Sequence, residues 1–340
     1  MANSPHIRIN IPNKTYQAFA RSEIKKIAQE IGFSGNRLGQ LEIIVAEHTS
    51  NIIKHTLKGG EILVRKIDLG EILGIEIISI DNGPGMLSPL KMMEDGASTS
   101  NTLGQGLGAI KRLSDEFDIY SIKGWGTILL SRFYLKKDLL PPSLPIEVKG
   151  IMLPKLGETK CGDNWDIVLK GNSLKMCLAD GLGHGEHAAE AAVAALISFK
   201  ATLKNEPAVA LRTMHALIKK TRGAVVTIAY LDITKMKLFY CGVGNISGKV
   251  IGLRNRSFLS YNGIIGHTIP NTINDHNYDW EENDILIMHS DGLNTRWDMQ
   301  KYPMILKHDS TILAAALYKD NNRGNDDVTV VVIRKKKKVV

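Results

Sequence analysis

The sequence is poor in the residues that would fix its setting at once. There are three cysteines in 340 residues: Cys161, Cys177 and Cys241. They are odd in number, widely spaced, and fit neither a zinc spacing nor a disulfide framework, so a reducing cytoplasm is the expected compartment. No apolar run reaches the roughly 18 residues that a membrane span needs. The opening MANSPHIRIN lacks the apolar core of a signal peptide. Aromatic residues make up 6% of the chain, and none interleaves with the basic run RKKKK, Arg334 to Lys338. That run has no stacking platform for single strands. It reads as a solvated tail, and neither nucleic acid nor a membrane is expected as a partner. The tail supplies much of a net charge of +8, set by 43 basic against 35 acidic residues.

Hydrophobic residues at 44% and charged residues at 23% are ordinary for a globular protein. The length allows about two domains. The best boundary is KKDLLPPSLPIEV, with three prolines in five positions, because proline fixes its own backbone and disfavours helix before it. The expected layout is a first domain over 1–138, a linker over 139–147, a second domain over 148–334 and a basic tail over 335–340. The first domain alternates helices and strands. TYQAFARSEIKKIAQEIGF is amphipathic, with Phe19, Ile24, Ile27 and Ile31 near helical spacing. GQLEIIVAEHTSNIIKHTLKGG is a second helix, closed by Gly59 and Gly60. Strands follow, and together they predict a two-layer α/β sandwich. The second domain is strand-rich, with two helices, EHAAEAAVAALISFKATL and PAVALRTMHALIKKT. It predicts a β-sandwich flanked by helices, and the chain as a whole is α+β.

Chemistry concentrates in two places. In the first domain, Glu47, Asn51 and His55 recur every fourth residue on one face of the second helix. Asp81 ends the strand ILGIEIISI, and Gly83 and Gly85 let the chain turn there. A carboxylate at that point can accept a hydrogen bond from an exocyclic amine such as adenine's. LGQGLGAIKRL then sets Gly104, Gly106 and Gly108 before a helix, a backbone suited to phosphate. No Lys-Ser/Thr follows these glycines, so this is not a Walker loop, and no βαβ unit makes it a Rossmann fingerprint. His55 reads as a structural histidine.

The ordered set ExxxN, DxGxG, GxGxG and GWGT resembles the GHKL ATPase fold, over about residues 5–135. The nearest branch is that of the serine/threonine switch kinases and anti-sigma-factor kinases. The resemblance implies ATP and Mg²⁺ as ligands. Asn51 would hold the ion, Glu47 would orient or deprotonate the attacking hydroxyl, and Asp81 would recognise adenine with Thr127 beside it. Gly104, Gln105, Gly106, Leu107 and Gly108 would close over the phosphates.

In the second domain, Asp163, Asp180, Asp291 and Asp326 stand at the ends of separate apolar strands. Gathered carboxylates repel one another unless cations neutralise them, and hard oxygen ligands select Mg²⁺ or Mn²⁺. Two such ions can activate water and clamp a phosphate ester. The order GDxW, DGxGHG before an Ala-rich helix, SDG and GxDDxTxxV resembles the metal-dependent (PPM) protein phosphatases of the SpoIIE type, over about residues 148–334. That resemblance implies Asp163, Asp180, the Gly181 carbonyl, Asp291 and Asp326 as metal ligands. Asp180 would bridge both ions, Asp327 would be structural, and His184 would sit in a turn or at the phosphate. The phosphate-binding arginine of the family's eukaryotic members has no clear equivalent, with only Lys155 and Lys160 as stand-ins. Together the resemblances imply a partner-switching regulator acting on a phosphorylatable protein, an antagonist-type STAS domain. The rival readings are a phosphatase whose first domain only senses nucleotide or docks a partner, a non-catalytic adaptor, and a nucleotide phosphohydrolase.

Overall fold

The computed structural model describes residues 4–56, 59–89, 106–139, 145–202 and 204–336. Two compact units emerge: residues 6–142 together with 300–319 form one, and the rest of the described chain forms the other.

The first unit is built on a five-stranded antiparallel sheet. Its strands are β1 (Ile7–Ile11), β2 (Gly60–Asp68), β3 (Leu73–Asp81), β4 (Glu116–Ile122) and β5 (Gly126–Tyr134), in the order β1-β2-β3-β5-β4. Helices α1 (Tyr16–Glu30), α2 (Gly35–His55) and α3 (Gly106–Leu113) accompany it. Alternate strand residues, among them Ile62, Val64, Ile75, Ile77, Leu129 and Phe133, join Ile24, Ile27, Leu41, Ile44, Val45 and Ile52 of α1 and α2 in one core. Each fully buried Ile or Val contributes about 1.5–3 kcal/mol. Phe19, expected on the buried stripe of α1, is instead exposed. The helix needs only Ala20, Ile24, Ile27 and Ala28 to seat itself.

The other set of strand residues faces a different cover. β3 carries a buried Glu76, opposite Arg132 in the β3–β5 register. Arg132 donates to Glu76 Oε2 at 2.6 Å and to the Asp309 carboxylate at 2.8 and 3.1 Å. Its remaining bonds go to Glu116 at 2.6 Å and Thr311 at 2.7 Å. Tyr120 donates to the Pro303 carbonyl at 3.0 Å. Segment 300–319 is thus a third layer of this unit. It contains most of α6 (Ser310–Asn321), a third helix of the chain's second half where the sequence predicts two. Residues 311–318 of α6 are all buried. A helix apolar all round has no amphipathic stripe to betray it.

The second unit is a sandwich of two five-stranded sheets. Its strands are β6 (Ile146–Leu153), β7 (Asp163–Lys170), β8 (Ser173–Gly181), β9 (Ala224–Asp232), β10 (Lys237–Val243), β11 (Ser247–Ile251), β12 (Arg256–Ser257), β13 (His276–Asp279), β14 (Ile285–His289) and β15 (Val328–Lys335). One sheet runs β13-β10-β9-β8-β7 and the other β12-β11-β14-β15-β6. Strand β8 serves two cores by its period of two. Met176 and Leu178 meet Trp165, Met288 and Val331 between the sheets. Cys177 and Ala179 face helices α4 (Glu186–Ala201) and α5 (Pro207–Leu217). Ala188, Ala191, Ala192 and Ala195 of α4 are buried; residues this small let a helix lie close to a sheet. All three cysteines are free and buried.

Candidate functional sites

Helix α2 and the end of β3 form the first site. On α2, Glu47 and Asn51 lie on the half-buried face, and His55 at the C-terminal end is exposed rather than packed as a structural histidine. The buried histidine of this helix is His48, which the sequence did not single out. Its Nδ1 meets Ser79 Oγ and its Nε2 meets Ser131 Oγ, each at 2.9 Å. Burial pushes its pKa down to about 3, so the ring is neutral and pins α2 to β3 and β5.

Asn51 Nδ2 is buried with no hydrogen-bond partner. Gly106, at the first turn of α3, lies so close that a Cβ there would collide with Glu47 Oε2 and stand 3.9 Å from Asn51 Oδ1. A larger residue there would push the Glu47 carboxylate aside. Leu107 packs on the core and Gly108 is buried. Gly104 and Gln105 lie outside the described residues.

Asp81 accepts from the Gly83 N–H at 2.7 Å and from the backbone of Thr127. Burial raises its pKa, against these two bonds and the charges of Lys319 and His55. Gly85 turns the chain at φ +64°, with a Cβ position blocked by the Ile122 carbonyl. Ser121, also not foreseen, ties the region together. Its hydroxyl accepts from Met86 N at 2.8 Å, donates to Gly126 O at 2.9 Å and meets Thr127 Oγ1 at 2.9 Å.

The second site lies at strand ends of the sandwich. Asp163 opens β7 and Asp180 nearly closes β8, and the two are direct partners in the register. Gly181 is next in β8, its N–H bonded to Gly162 O at 3.0 Å. Asp291 follows β14 and Asp326 precedes β15. Burial raises the Asp180 pKa far above the usual range, and the charges of Asp163, Asp291, Asp326 and Asp327 push it further. Asp163 is raised too, by burial foremost and by Asp327 and Asp291. The structure therefore brings the four expected carboxylates together, with Asp327 as a fifth.

Neutral donors hold the carboxylates. Ser290 Oγ donates to Asp163 Oδ2 at 2.6 Å, and Asn245 Nδ2 to Asp291 Oδ2 at 2.8 Å. Asp327 Oδ1 accepts from Lys155 N at 2.9 Å. Asp163 Oδ1 is buried with no hydrogen-bond partner. A buried carboxylate oxygen left bare, in a cluster of like charge, fits a hard cation. As the side chains stand, no three His, Cys, Asp or Glu residues among the described residues meet as ligands of one ion. His184 pairs with Glu158 at 2.7 Å. Arg222 is exposed next to the same loop, its Nη1 3.2 Å from where a Gly183 Cβ would stand. Serine, asparagine and arginine at these positions carry no sequence signal, because only the fold puts Ser290 and Asn245 beside the aspartates and Arg222 beside the Gly183 loop.

Fold and sites together define a kinase-like ATPase domain joined to a serine/threonine phosphatase domain, the composition of a partner-switching regulator. The comparisons agree. The model of the histidine kinase-like ATPase domain matches residues 12–132, and that of stage II sporulation protein E (SpoIIE) matches residues 170–336. The serine/threonine-protein kinase RsbT of Bacillus subtilis is 39% identical over 108 residues, 32% of this chain and 80% of the relative. The phosphoserine phosphatase RsbX of the same organism is 27% identical over 151 residues, 44% of this chain and 75% of the relative. A solved chain from work on the bacterial stressosome superposes with a TM-score of 0.53 at 26% identity, covering 56% of this chain and 99% of its own length. The chain belongs to the histidine kinase-like ATPase family in its first part, and its second part is similar to SpoIIE and to RsbX. Among the described residues no helix is long and apolar enough to cross a membrane.

Proposed function

We propose that this chain resets a phosphorylatable regulatory protein of the cytoplasm, an antagonist-type STAS domain, by hydrolysing its phosphoserine or phosphothreonine, and that ATP bound at the first site governs or reverses that step. The observation that carries the reading is the carboxylate cluster around Asp180 with a bare, buried oxygen on Asp163. Asp163, Asp180, the Gly181 carbonyl, Asp291 and Asp326 would hold two Mg²⁺ or Mn²⁺ ions. Such ions supply a water deprotonated near neutral pH and a charge clamp on the phosphate. Hydrolysis breaks the ester P–O bond, forms a new one from water, and returns the seryl or threonyl hydroxyl. Ser290 and Asn245 orient Asp163 and Asp291 by their hydrogen bonds. Arg222 offers a guanidinium to the phosphate oxygens from the Gly183 side. Asp327, held by Lys155 N, supports the loop rather than touching substrate.

At the first site, Asp81 accepts from the adenine amine, with Thr127 fixing its carboxylate. Gly83 and Gly85 open the turn for the base. Asn51 would hold Mg²⁺ through Oδ1, and Gly106, with Gly104, Gln105, Leu107 and Gly108, would enclose the phosphates. Glu47, pressed against Gly106, would receive the proton of an attacking hydroxyl, the base role in phosphoryl transfer.

Two experiments test this half. Asp81→Asn should weaken ATP binding by about ten- to hundredfold, the weight of a hydrogen bond to a charged group, in a calorimetric titration. Unchanged affinity would remove Asp81 from the base site. With labelled ATP and a STAS-domain protein, the parent should yield phosphoprotein, and Glu47→Ala should slow transfer by about 10²–10⁴-fold, the range for a lost general base. ATP binding without any transfer would leave the first domain a nucleotide sensor.

A further inference from the structure

Strand β9 begins at Ala224, and three stretches of the second unit meet there. Ala224 stands opposite Gly181 of β8 in the register. Ala224 N also donates to Ile265 O at 3.0 Å, and Ile265 N to Ala224 O at 2.8 Å. Leu182 N donates to Gly223 O at 3.0 Å. The turn before β9 and the turn at 264–267 therefore border the stretch that carries Gly181 and Gly183. Thr221 holds the first of these turns in place. Its hydroxyl donates to Ile218 O at 2.8 Å and accepts from Gly223 N at 3.0 Å.

This edge is basic. Residues 207–223 contain Arg212, Lys219, Lys220 and Arg222 and no acidic residue. Lys219, Lys220, Arg222 and His267 are exposed, and among the described residues none of the four forms an ion pair. His267 lies against Gly223, its Cδ2 2.5 Å from where a Cβ would stand. His215, near the end of α5, accepts from Gly266 N at 3.1 Å. Burial lowers its pKa, and the charges of Lys219 and His267 lower it further. Glu158, beside Gly185, is taken up by His184 at 2.7 Å. Cations are thus gathered beside the carboxylate site with no anion of their own.

We propose that Lys219 and Lys220, with Arg222 at the inner end beside Gly183, form a docking rim for acidic residues that flank the phosphorylated side chain of a protein substrate. The inference deepens the phosphatase reading above and rests on it. The phosphate ester enters the carboxylate site, and the chain on either side of it crosses the rim. Carboxylates there meet uncompensated cations in water. Such attraction speeds encounter and selects partners more than it adds affinity. An aryl phosphate has no flanking residues, so it does not engage the two lysines. No aromatic residue lies within 207–223, so the patch offers no stacking platform for nucleic acid.

The test gives the full chain, with Mn²⁺, three substrates: an aryl phosphate, a phosphoserine peptide flanked by glutamates, and the same peptide flanked by glutamines. At low salt kcat/KM should favour the glutamate peptide by about tenfold, the low end of electrostatic steering. The preference should vanish at about 1 M salt, where the screening length is about 3 Å. Lys219→Gln/Lys220→Gln should remove most of it and leave the aryl phosphate unchanged. Lys219→Glu/Lys220→Glu should reverse the order of the two peptides, and Lys219→Arg/Lys220→Arg should keep it. A merely destabilised variant would slow on all three substrates alike, and that result overturns the proposal. Equal rates on the two peptides, expected if the patch serves a membrane or a nucleic acid instead, overturn it too. So does a preference that survives in the glutamine variant. If the parent hydrolyses none of the three, the phosphatase reading falls and takes the rim with it.

Discussion

Asp180→Asn is expected to cut aryl phosphate hydrolysis by at least about a thousandfold in kcat, near 4 kcal/mol of barrier. The substitution keeps the shape of the side chain and removes one negative oxygen from the centre of the carboxylate cluster. A chelator should abolish turnover of the parent to the same extent, and Mn²⁺ or Mg²⁺ should restore it. Metal-independent hydrolysis would end the phosphatase reading. The same cluster sets the sign of a stability effect. Asp180 is raised from an ordinary value of 3.8 by burial first and by Asp163, Asp291, Asp326 and Asp327 next. The folded state thus binds protons that the unfolded state has released. Without divalent ions, stability should fall as pH rises above about 4, the reverse of a salt-bridged aspartate. Asp180→Asn should flatten that fall and melt no lower than the parent in metal-free buffer at neutral pH. Melting curves from pH 5 to 8, with and without Mn²⁺, would reveal it. A metal-free parent that grows more stable with pH would contradict the assignment.

Arg132→Met is expected to destabilise the first unit by about 3–5 kcal/mol, the cost of leaving a buried charge without its partner. Arg132 is 1% exposed and Glu76 is fully buried, so water cannot replace what the guanidinium supplied. Glu76 would retain Arg65 and His6, at 2.7 and 3.2 Å, which is why the loss is not larger. Asp309 and Thr311 would lose their bonds to β5 as well, freeing the start of α6. The companion Glu76→Met/Arg132→Met chain should recover a large part of the loss, because apolar groups of similar volume replace a buried pair at little cost. Urea unfolding of the three chains checks this. A single variant within about 1 kcal/mol of the parent would mean that the pair behaves like an exposed one.

Much of both sites was legible because their chemistry is written in short segments. Asp81 with its two glycines sits on one turn, and Glu47 and Asn51 share one helix face. Each aspartate of the second site adjoins a strand whose apolar run marks its end. The partners that hold these residues were not legible. Ser121, Ser290, Asn245 and Arg222 are ordinary surface or strand residues until the fold brings Ser290 and Asn245 to carboxylates, Ser121 to Thr127 and Arg222 to the Gly183 loop. His48 hides among the apolar residues of α2 and acquires meaning only from Ser79 and Ser131 across the sheet. Helix α6 was missed for a related reason. Its residues are apolar on every side, so neither a period of 3.6 nor one of 2 stands out. No linear boundary could express its membership, since residues 300–319 group with the first unit although they follow most of the second.

That grouping carries a consequence for synthesis. Arg132 and Asp309 are 177 positions apart. When β5 leaves the ribosome, the partners of Arg132 on segment 300–319 have yet to be made. At roughly 5–20 residues per second, the sheet waits on the order of ten to forty seconds with one face uncovered and Arg132 without Asp309. Folding of the first unit is thereby tied to translation of nearly the whole chain. A nascent chain stalled before residue 300 should be more open to protease in its first 140 residues than one stalled after residue 319.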